Sequence, residues 1–137
     1  MQLSRKARRQ VLIGAGLLVA GGVGYWEFGR PEVVETTEVA IASPQFTPRN
    51  IRISPGDTVT WENTEQGQAD IAHRIRSASD NWSFDKLIES GEVATYTFEE
   101  EGIYEAYCGI HGSADLSGES MKIGVGTDIE KPLGGVL

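Results

Sequence analysis

From about residue 38 onward, apolar residues recur at every second position in short runs separated by turn residues. The clearest run, Asp57–Glu62, places Val59 and Trp61 on one face, and the turn residues Ser54–Gly56 precede it. Alternation with a period of two is typical of strands that bury one face, and no helical period competes with it. The pattern predicts about seven strands, a number suited to an all-β fold.

Four further runs alternate in the same way. Their inward positions are Ile71, His73 and Ile75, then Ala94, Tyr96 and Phe98, then Tyr104, Ala106 and Cys108, and finally Met121, Ile123 and Val125. Strands of this kind bury their apolar faces against each other in two packed antiparallel sheets, with the loops gathered at the ends. We therefore expect an all-β sandwich, with a histidine and a cysteine on inward positions.

The first thirty residues have a different pattern. Residues 1–9 contain four basic side chains, and Gln10–Trp26 contains no charge. Such a segment predicts a signal peptide or a retained transmembrane anchor over residues 1–30, and Tyr25 and Trp26 favour the anchor. Residues 31–38 form a predicted linker, and residues 39–137 form the predicted domain. The Ala7–Leu12 stretch also resembles a twin-arginine export signal.

Charge and composition narrow the possible functions. The chain of 137 residues is long enough for one domain, and its net charge is −8. The first thirty residues carry +4 and the rest −12, which argues against nucleic-acid binding. The basic end should stay on the cytoplasmic side of the membrane, placing the domain in the periplasm or on the outer face of the cytoplasmic membrane. A single cysteine excludes a disulfide within the chain.

The residues able to bind a metal follow a specific order. His73 is followed by Cys108, His111 and Met121, and no histidine or cysteine remains outside this set. Two imidazoles, a thiolate and a weak axial thioether are the ligands of a blue-copper electron-transfer site. The set predicts one copper ion per chain.

With these residues, the chain resembles the cupredoxins of the plastocyanin, amicyanin and halocyanin group over about residues 40–126. The matching stretches are Ile53–Trp61, Ala72–His73, Thr97–Phe98, Gly102–Tyr104, Tyr107–His111 and Met121–Lys122. The resemblance implies a Greek-key β-sandwich with one type 1 copper, and an electron carrier rather than an enzyme. It implies His73, Cys108 and His111 as equatorial ligands and Met121 as the axial ligand, with His111 reaching the surface.

Two features depart from this family pattern. Nine residues, Gly112–Ser120, separate His111 from Met121, and Ile110 stands where the family usually has proline. The long separation leaves three alternatives for the axial position, namely Asp115, Glu119 or a backbone carbonyl. A carboxylate there would stabilise Cu(II), lower the reduction potential and change the colour.

We expect the protein to pass single electrons between partners of a respiratory or photosynthetic chain, tethered to the membrane by its N-terminal segment. One alternative keeps the copper in an accessory or copper-delivery protein for an oxidase. A second is a structural zinc site, because zinc accepts the same ligands. A third makes Cys108 a nucleophile activated by His111.

Overall fold

The computed structural model describes residues 32–42, 45–65 and 71–134, and nine strands lie in these ranges. In chain order they are β1 (Glu38–Ala42), β2 (Gln45–Thr47), β3 (Asn50–Ile53), β4 (Asp57–Asn63), β5 (His73–Ser77), β6 (Asp85–Ile88), β7 (Val93–Phe98), β8 (Gly102–Gly112) and β9 (Gly118–Val125).

The alternation seen in the sequence corresponds to alternating burial. In β4, Val59 and Trp61 are fully buried, whereas Thr58 and Glu62 are exposed. Each alternating run of the sequence is confirmed as a strand. The structure has more strands than the seven expected, because short strands such as β2, with three residues, are too brief to show a period.

The strands form two sheets. The order is β2-β1-β4-β7 in the four-stranded sheet and β3-β9-β8-β5-β6 in the five-stranded sheet. Two pairs, β1 with β4 and β3 with β9, are parallel, and the remaining pairs are antiparallel. The predicted all-β sandwich is confirmed. The neighbouring strands β5 and β8 of the five-stranded sheet carry both histidines and the cysteine, so this pair positions the candidate site.

Both sheets contribute to one core. Trp61 and Phe98 come from the four-stranded sheet, and Ile75 and Met121 come from the five-stranded sheet; all four are almost completely buried. Trp61 also stacks on Trp82, with ring centroids 6.5 Å apart. Large aromatic side chains bury much apolar area, so this cluster gives the strands around the site a rigid support.

The predicted signal peptide or anchor, residues 1–30, lies outside the described residues. Within the described ranges, no helix is long and apolar enough to cross a membrane. The predicted linker is described from Glu32 onward. There Val34 pairs with Ile51 as an isolated parallel bridge, and its N–H donates to the carbonyl of Asn50 at 3.0 Å. This part of the linker therefore contacts the edge of the five-stranded sheet.

Candidate metal centre

Two neighbouring strands bring the two histidines and the cysteine together at one end of the five-stranded sheet. His73 is the first residue of β5, and Cys108 and His111 lie near the end of β8. The strands pair antiparallel with Ile75 opposite Cys108. One ligand atom from each of His73, Cys108, His111 and Glu119 lies within 4.8 Å of each of the others.

An irregularity in β8 shapes this cluster. Pairing between β8 and β9 is regular as far as Tyr107 opposite Ser120, and it resumes with Gly112 opposite Gly118. Between these pairs the four residues Cys108–His111 face a single residue of β9, Glu119. Bulges re-aim side chains near functional sites. Here the bulge lets both Cys108 and His111 approach the same carboxylate.

Both histidines present Nδ1 to the centre of the cluster. The Sγ atom of Cys108 lies 3.8 Å from Nδ1 of His73 and 3.5 Å from Nδ1 of His111. The Oε1 atom of Glu119 lies 3.0 Å from Nδ1 of His73 and 3.3 Å from Nδ1 of His111. His73, Cys108 and Glu119 are fully buried, whereas 33% of the His111 side chain is exposed.

These separations fit a metal ion. Metal–ligand bonds of about 2.0–2.3 Å in tetrahedral geometry place neighbouring ligand atoms about 3.3–3.8 Å apart. The distances from the two Nδ1 atoms to sulfur and to the carboxylate oxygen range from 3.0 to 3.8 Å. Imidazole and thiolate donors suit copper, and zinc accepts them as well.

The sulfur of Cys108 is enclosed by protein. The backbone N–H of Arg74 donates to Sγ at 3.4 Å. Burial raises the pKa of the Cys108 thiol above its ordinary value, and hydrogen bonds from the N–H groups of Arg74, Ile110 and His111 oppose this shift. Metal binding therefore displaces a proton from this thiol.

A second carboxylate orients the other side of the His73 ring. Nε2 of His73 lies 3.3 Å from Oε1 of Glu65, whose side chain is 18% exposed. A partner on the distal nitrogen fixes the orientation of a metal-binding imidazole and raises its basicity. Glu65 was not predicted from the sequence because it lies after β4, outside any alternating run.

Met121, the predicted axial ligand, is fully buried in β9 on the inward face that the alternation predicts. Its Sδ atom accepts a hydrogen bond from Nε1 of Trp61 at 3.2 Å. Met121 is paired with Ala106, so it lies one inward position further along β9 than Glu119. Its role as axial ligand stays a prediction.

The two carboxylates considered as alternatives lie in different surroundings. Glu119 belongs to the cluster. Asp115 is exposed in the turn between β8 and β9, where its Oδ1 accepts hydrogen bonds from the backbone and the hydroxyl of Ser117. The bonds from Ser117 hold the pKa of Asp115 below its ordinary value. The structure therefore brings only Glu119 of these two into the cluster.

The cluster reaches the surface through His111. Ile110 beside it is 51% exposed. Arg74 and Arg76 border the same surface near Gly109, and both interact with Asp85, at N–O distances of 2.7 and 3.6 Å. The surface around the exposed edge of His111 therefore consists of the apolar Ile110 and of two guanidinium groups whose charge Asp85 partly neutralises.

Comparison with known proteins agrees with this geometry. Residues 33–122 match the family model of copper binding proteins of the plastocyanin/azurin family. Halocyanin from Natronomonas pharaonis is 33% identical over 95 residues, which is 67% of this chain and 56% of that protein. This chain therefore spans little more than half the length of that relative.

Solved structures of amicyanin share the fold. An oxidized mutant form superimposes with a TM-score of 0.54 at 22% identity, covering 66% of this chain and 81% of amicyanin. A reduced form of another amicyanin mutant gives the same TM-score, identity and coverage.

Proposed function

Because this chain belongs to the plastocyanin/azurin family of copper binding proteins, we propose that it carries single electrons on one copper ion held by His73, Cys108 and His111. Proteins of this family transfer electrons and are not enzymes, and copper is their cofactor. The observation that carries the ligand assignment is the convergence of both histidines on the only cysteine of the chain.

Copper supplies a one-electron couple when it is bound. The protein's contribution is to hold the ligand atoms in place, because β5 and β8 are paired strands rather than free loops. His73 and Cys108 are fully buried. Nε2 of His73 contacts the carboxylate of Glu65, and Sγ of Cys108 accepts a hydrogen bond from the N–H of Arg74. A site that moves little on a change of charge is suited to rapid electron transfer.

Electrons enter and leave through the exposed edge of His111. This ring joins the buried thiolate to solvent, and Ile110 offers an apolar contact next to it. Small, weakly apolar contact areas are typical of transient redox complexes. We place the docking surface for redox partners around these two residues, and expect these partners to belong to a respiratory or photosynthetic chain.

Burial favours electron transfer over copper delivery. A delivery protein has to release its metal to an acceptor, whereas here His73 and Cys108 are fully buried. The same burial argues against Cys108 as a nucleophile, because its raised pKa leaves the thiol protonated without a metal. A zinc site would use the same ligands but would carry no electron.

The location proposed for this carrier is outside the cytoplasm, tethered by residues 1–30. This part of the proposal is supported by the charge asymmetry of the sequence, with a basic N-terminal end followed by an acidic domain. A cysteine accessibility assay on intact cells, using a cysteine introduced in an exposed position such as Ser113, would test on which side of the membrane the domain lies.

The central test is a titration of the purified full-length chain with Cu(II), followed by visible absorption. We expect an intense thiolate-to-copper band that saturates at one equivalent, and no band in Cys108→Ala. Voltammetry of the loaded protein should give a reversible one-electron wave. Absence of the band in the unaltered chain, with the thiol still reactive, would refute the proposal and favour the zinc or thiol alternatives.

A chelator experiment separates carrying from delivery. Copper-loaded protein mixed with a Cu(I) chelator under reducing conditions should release its metal slowly, because His73, Cys108 and Glu119 are fully buried. Rapid and complete transfer to the chelator, at the rate of the chelator's own binding, would favour a delivery protein.

A further inference from the structure

Glu119 is the most unusual side chain of the core. It is fully buried, although charged side chains are almost never buried without partners. Its Oε1 atom contacts both histidines of the cluster, at 3.0 and 3.3 Å. Its Oε2 atom is buried and has no hydrogen-bond partner, and it is the one such side-chain atom found within residues 32–42, 45–65 and 71–134.

An unpartnered buried carboxylate oxygen is costly. Leaving one buried acceptor unsatisfied costs about 1–3 kcal/mol, and more when the group is charged. A cation bound beside Oε1 would compensate both oxygens of the carboxylate at once. This unpartnered oxygen belongs to a side chain that lies among two histidines and a cysteine, which points to a metal ligand rather than to a packing defect.

The strand register places Glu119 where a fourth ligand is needed. In β9 it is the single residue that faces the whole Cys108–His111 stretch. Regular pairing on both sides, at Ser120 and at Gly118, fixes its position along the strand. Backbone pairing therefore places Glu119 beside the cluster.

Met121 lies in a different environment. Its Sδ atom already accepts the indole N–H of Trp61 at 3.2 Å. Trp61 has no exposed surface, so a sulfur that gave up this hydrogen bond to bind a metal would leave a buried N–H without a partner. The methionine is thus held in the core by Trp61, while the carboxylate lies among the histidines.

We propose that Glu119, through Oε1, is the fourth ligand of the copper, in place of the thioether predicted from Met121. This inference rests on the proposed function. The site then has two imidazole nitrogens, one thiolate and one carboxylate oxygen. A hard anionic ligand stabilises Cu(II), so the reduction potential lies lower, and the ligand field is stronger, than a thioether would give.

The test compares Glu119→Gln with Met121→Leu, two substitutions of similar size in the same strand. We expect Glu119→Gln to raise the reduction potential and to change the Cu(II) electron paramagnetic resonance spectrum. Met121→Leu should leave both close to those of the unaltered chain. The reverse pattern, a shift with Met121→Leu and none with Glu119→Gln, would overturn the proposal.

A measurement on the unaltered protein does not depend on how the variants fold. With glutamate labelled by carbon-13 at the side-chain carboxylate, electron-nuclear double resonance on Cu(II) should detect a strongly coupled carbon. No such coupling would refute ligation by Glu119.

The two proposals fail in different ways. If the unaltered chain shows the thiolate-to-copper band but no carbon-13 coupling, the electron carrier stands and the carboxylate ligand falls. If the band itself is missing, the proposed function falls.

Discussion

At the scale of single residues, two buried side chains of the site, Cys108 and His73, each have a partner that fixes their orientation. Cys108 accepts the N–H of Arg74, and His73 contacts Glu65 through Nε2. His111 differs, because a third of its side chain is in solvent. The site is therefore firmly held on its inner side and open to solvent at His111.

Glu65→Gln tests this orientation of His73. The substitution keeps the size of the side chain but removes its charge, and changes to such outer contacts typically cost 10–100-fold in metal affinity. We expect the copper affinity to fall by about tenfold, at the lower end of this range, because Glu65 is not completely buried and solvent reduces its effect on His73. Competition with a chelator of known affinity measures it.

The matched control for this substitution is Glu62→Gln, at an exposed position of β4, which should leave the affinity unchanged. Equal affinities for Glu65→Gln and the unaltered chain would show that Glu65 does not orient the imidazole.

At the scale of elements, the hairpin of β8 and β9 determines the site. The nine residues between His111 and Met121 were expected to form a long excursion. Four of them belong to strands instead, because β8 continues to Gly112 and β9 begins at Gly118. The turn itself is Ser113–Ser117, closed by the N–H of Ser113 donating to the carbonyl of Ser117 at 3.0 Å.

Gly112→Ala tests the close approach within this hairpin. A Cβ atom at Gly112 would overlap with the backbone carbonyl of Glu119, and backbone cannot move aside as a side chain can. Overpacking of this kind costs about 1–3 kcal/mol. We expect a loss of stability in that range, measured by chemical denaturation of the metal-free protein, together with an altered copper spectrum.

Gly109→Ala is the control for Gly112→Ala. Its Cβ atom would lie 2.8 Å from Cδ of Arg76, an exposed and flexible side chain that can move away. Gly109→Ala should therefore destabilise the fold less than Gly112→Ala does. If Gly109→Ala is as damaging as Gly112→Ala, contact with the Glu119 backbone is not the cause.

A salt bridge joins β5 to the edge strand β6. Arg74 donates to both carboxylate oxygens of Asp85, at 2.7 and 3.1 Å, and this contact lowers the pKa of Asp85 below its ordinary value. A carboxyl with a lowered pKa stabilises the folded state above its unfolded pKa. That contribution is lost as the pH falls through the folded pKa.

Asp85→Asn should therefore be less stable than the unaltered chain at neutral pH, and the difference should vanish well below the ordinary carboxyl pKa of about 4. Chemical denaturation of both proteins at the two pH values measures this. The effect is small because both side chains are exposed. A difference that grows on acidification would contradict this account.

At the scale of the whole molecule, copper binding and folding should be coupled. The proposed ligands come from β5, β8 and β9, which meet only in the folded chain. Copper at a hundred times its dissociation constant should stabilise the fold by about 2.7 kcal/mol. For a domain of this size, such a gain raises the Tm by about 10 °C or more.

Calorimetry of the metal-free and loaded protein measures this rise, with Cys108→Ala as the control that should show little of it. An equal rise in Cys108→Ala would show that copper stabilises the chain from another site.

The parts that the sequence predicts well are those governed by local pattern. The two-residue period identifies the inward face of β4 and of the strands carrying His73 and Cys108. The period could not decide whether Glu119 or Met121 lies in the cluster, because the two residues are two positions apart in β9 and both point inward. Which one faces Cys108 depends on the register across the bulge, and register is a property of paired strands rather than of one run.

The contact of Glu65 with His73 was unpredictable for a related reason. It joins the end of β4, in one sheet, to the start of β5, in the other, and no periodic signal describes such a meeting. The short strands β2 and β6 escaped prediction because pairing with neighbours, rather than their own alternation, makes them strands.

The pairing of Gly112 with Gly118 also has an evolutionary consequence. The proposed ligands lie on the inner side of this pair, and Ser113–Ser117 lie beyond it. Insertions, deletions or substitutions in that turn should leave the coordination geometry unchanged while they alter the surface beside His111. We therefore expect this turn, and with it the choice of partner, to diversify independently of the redox chemistry.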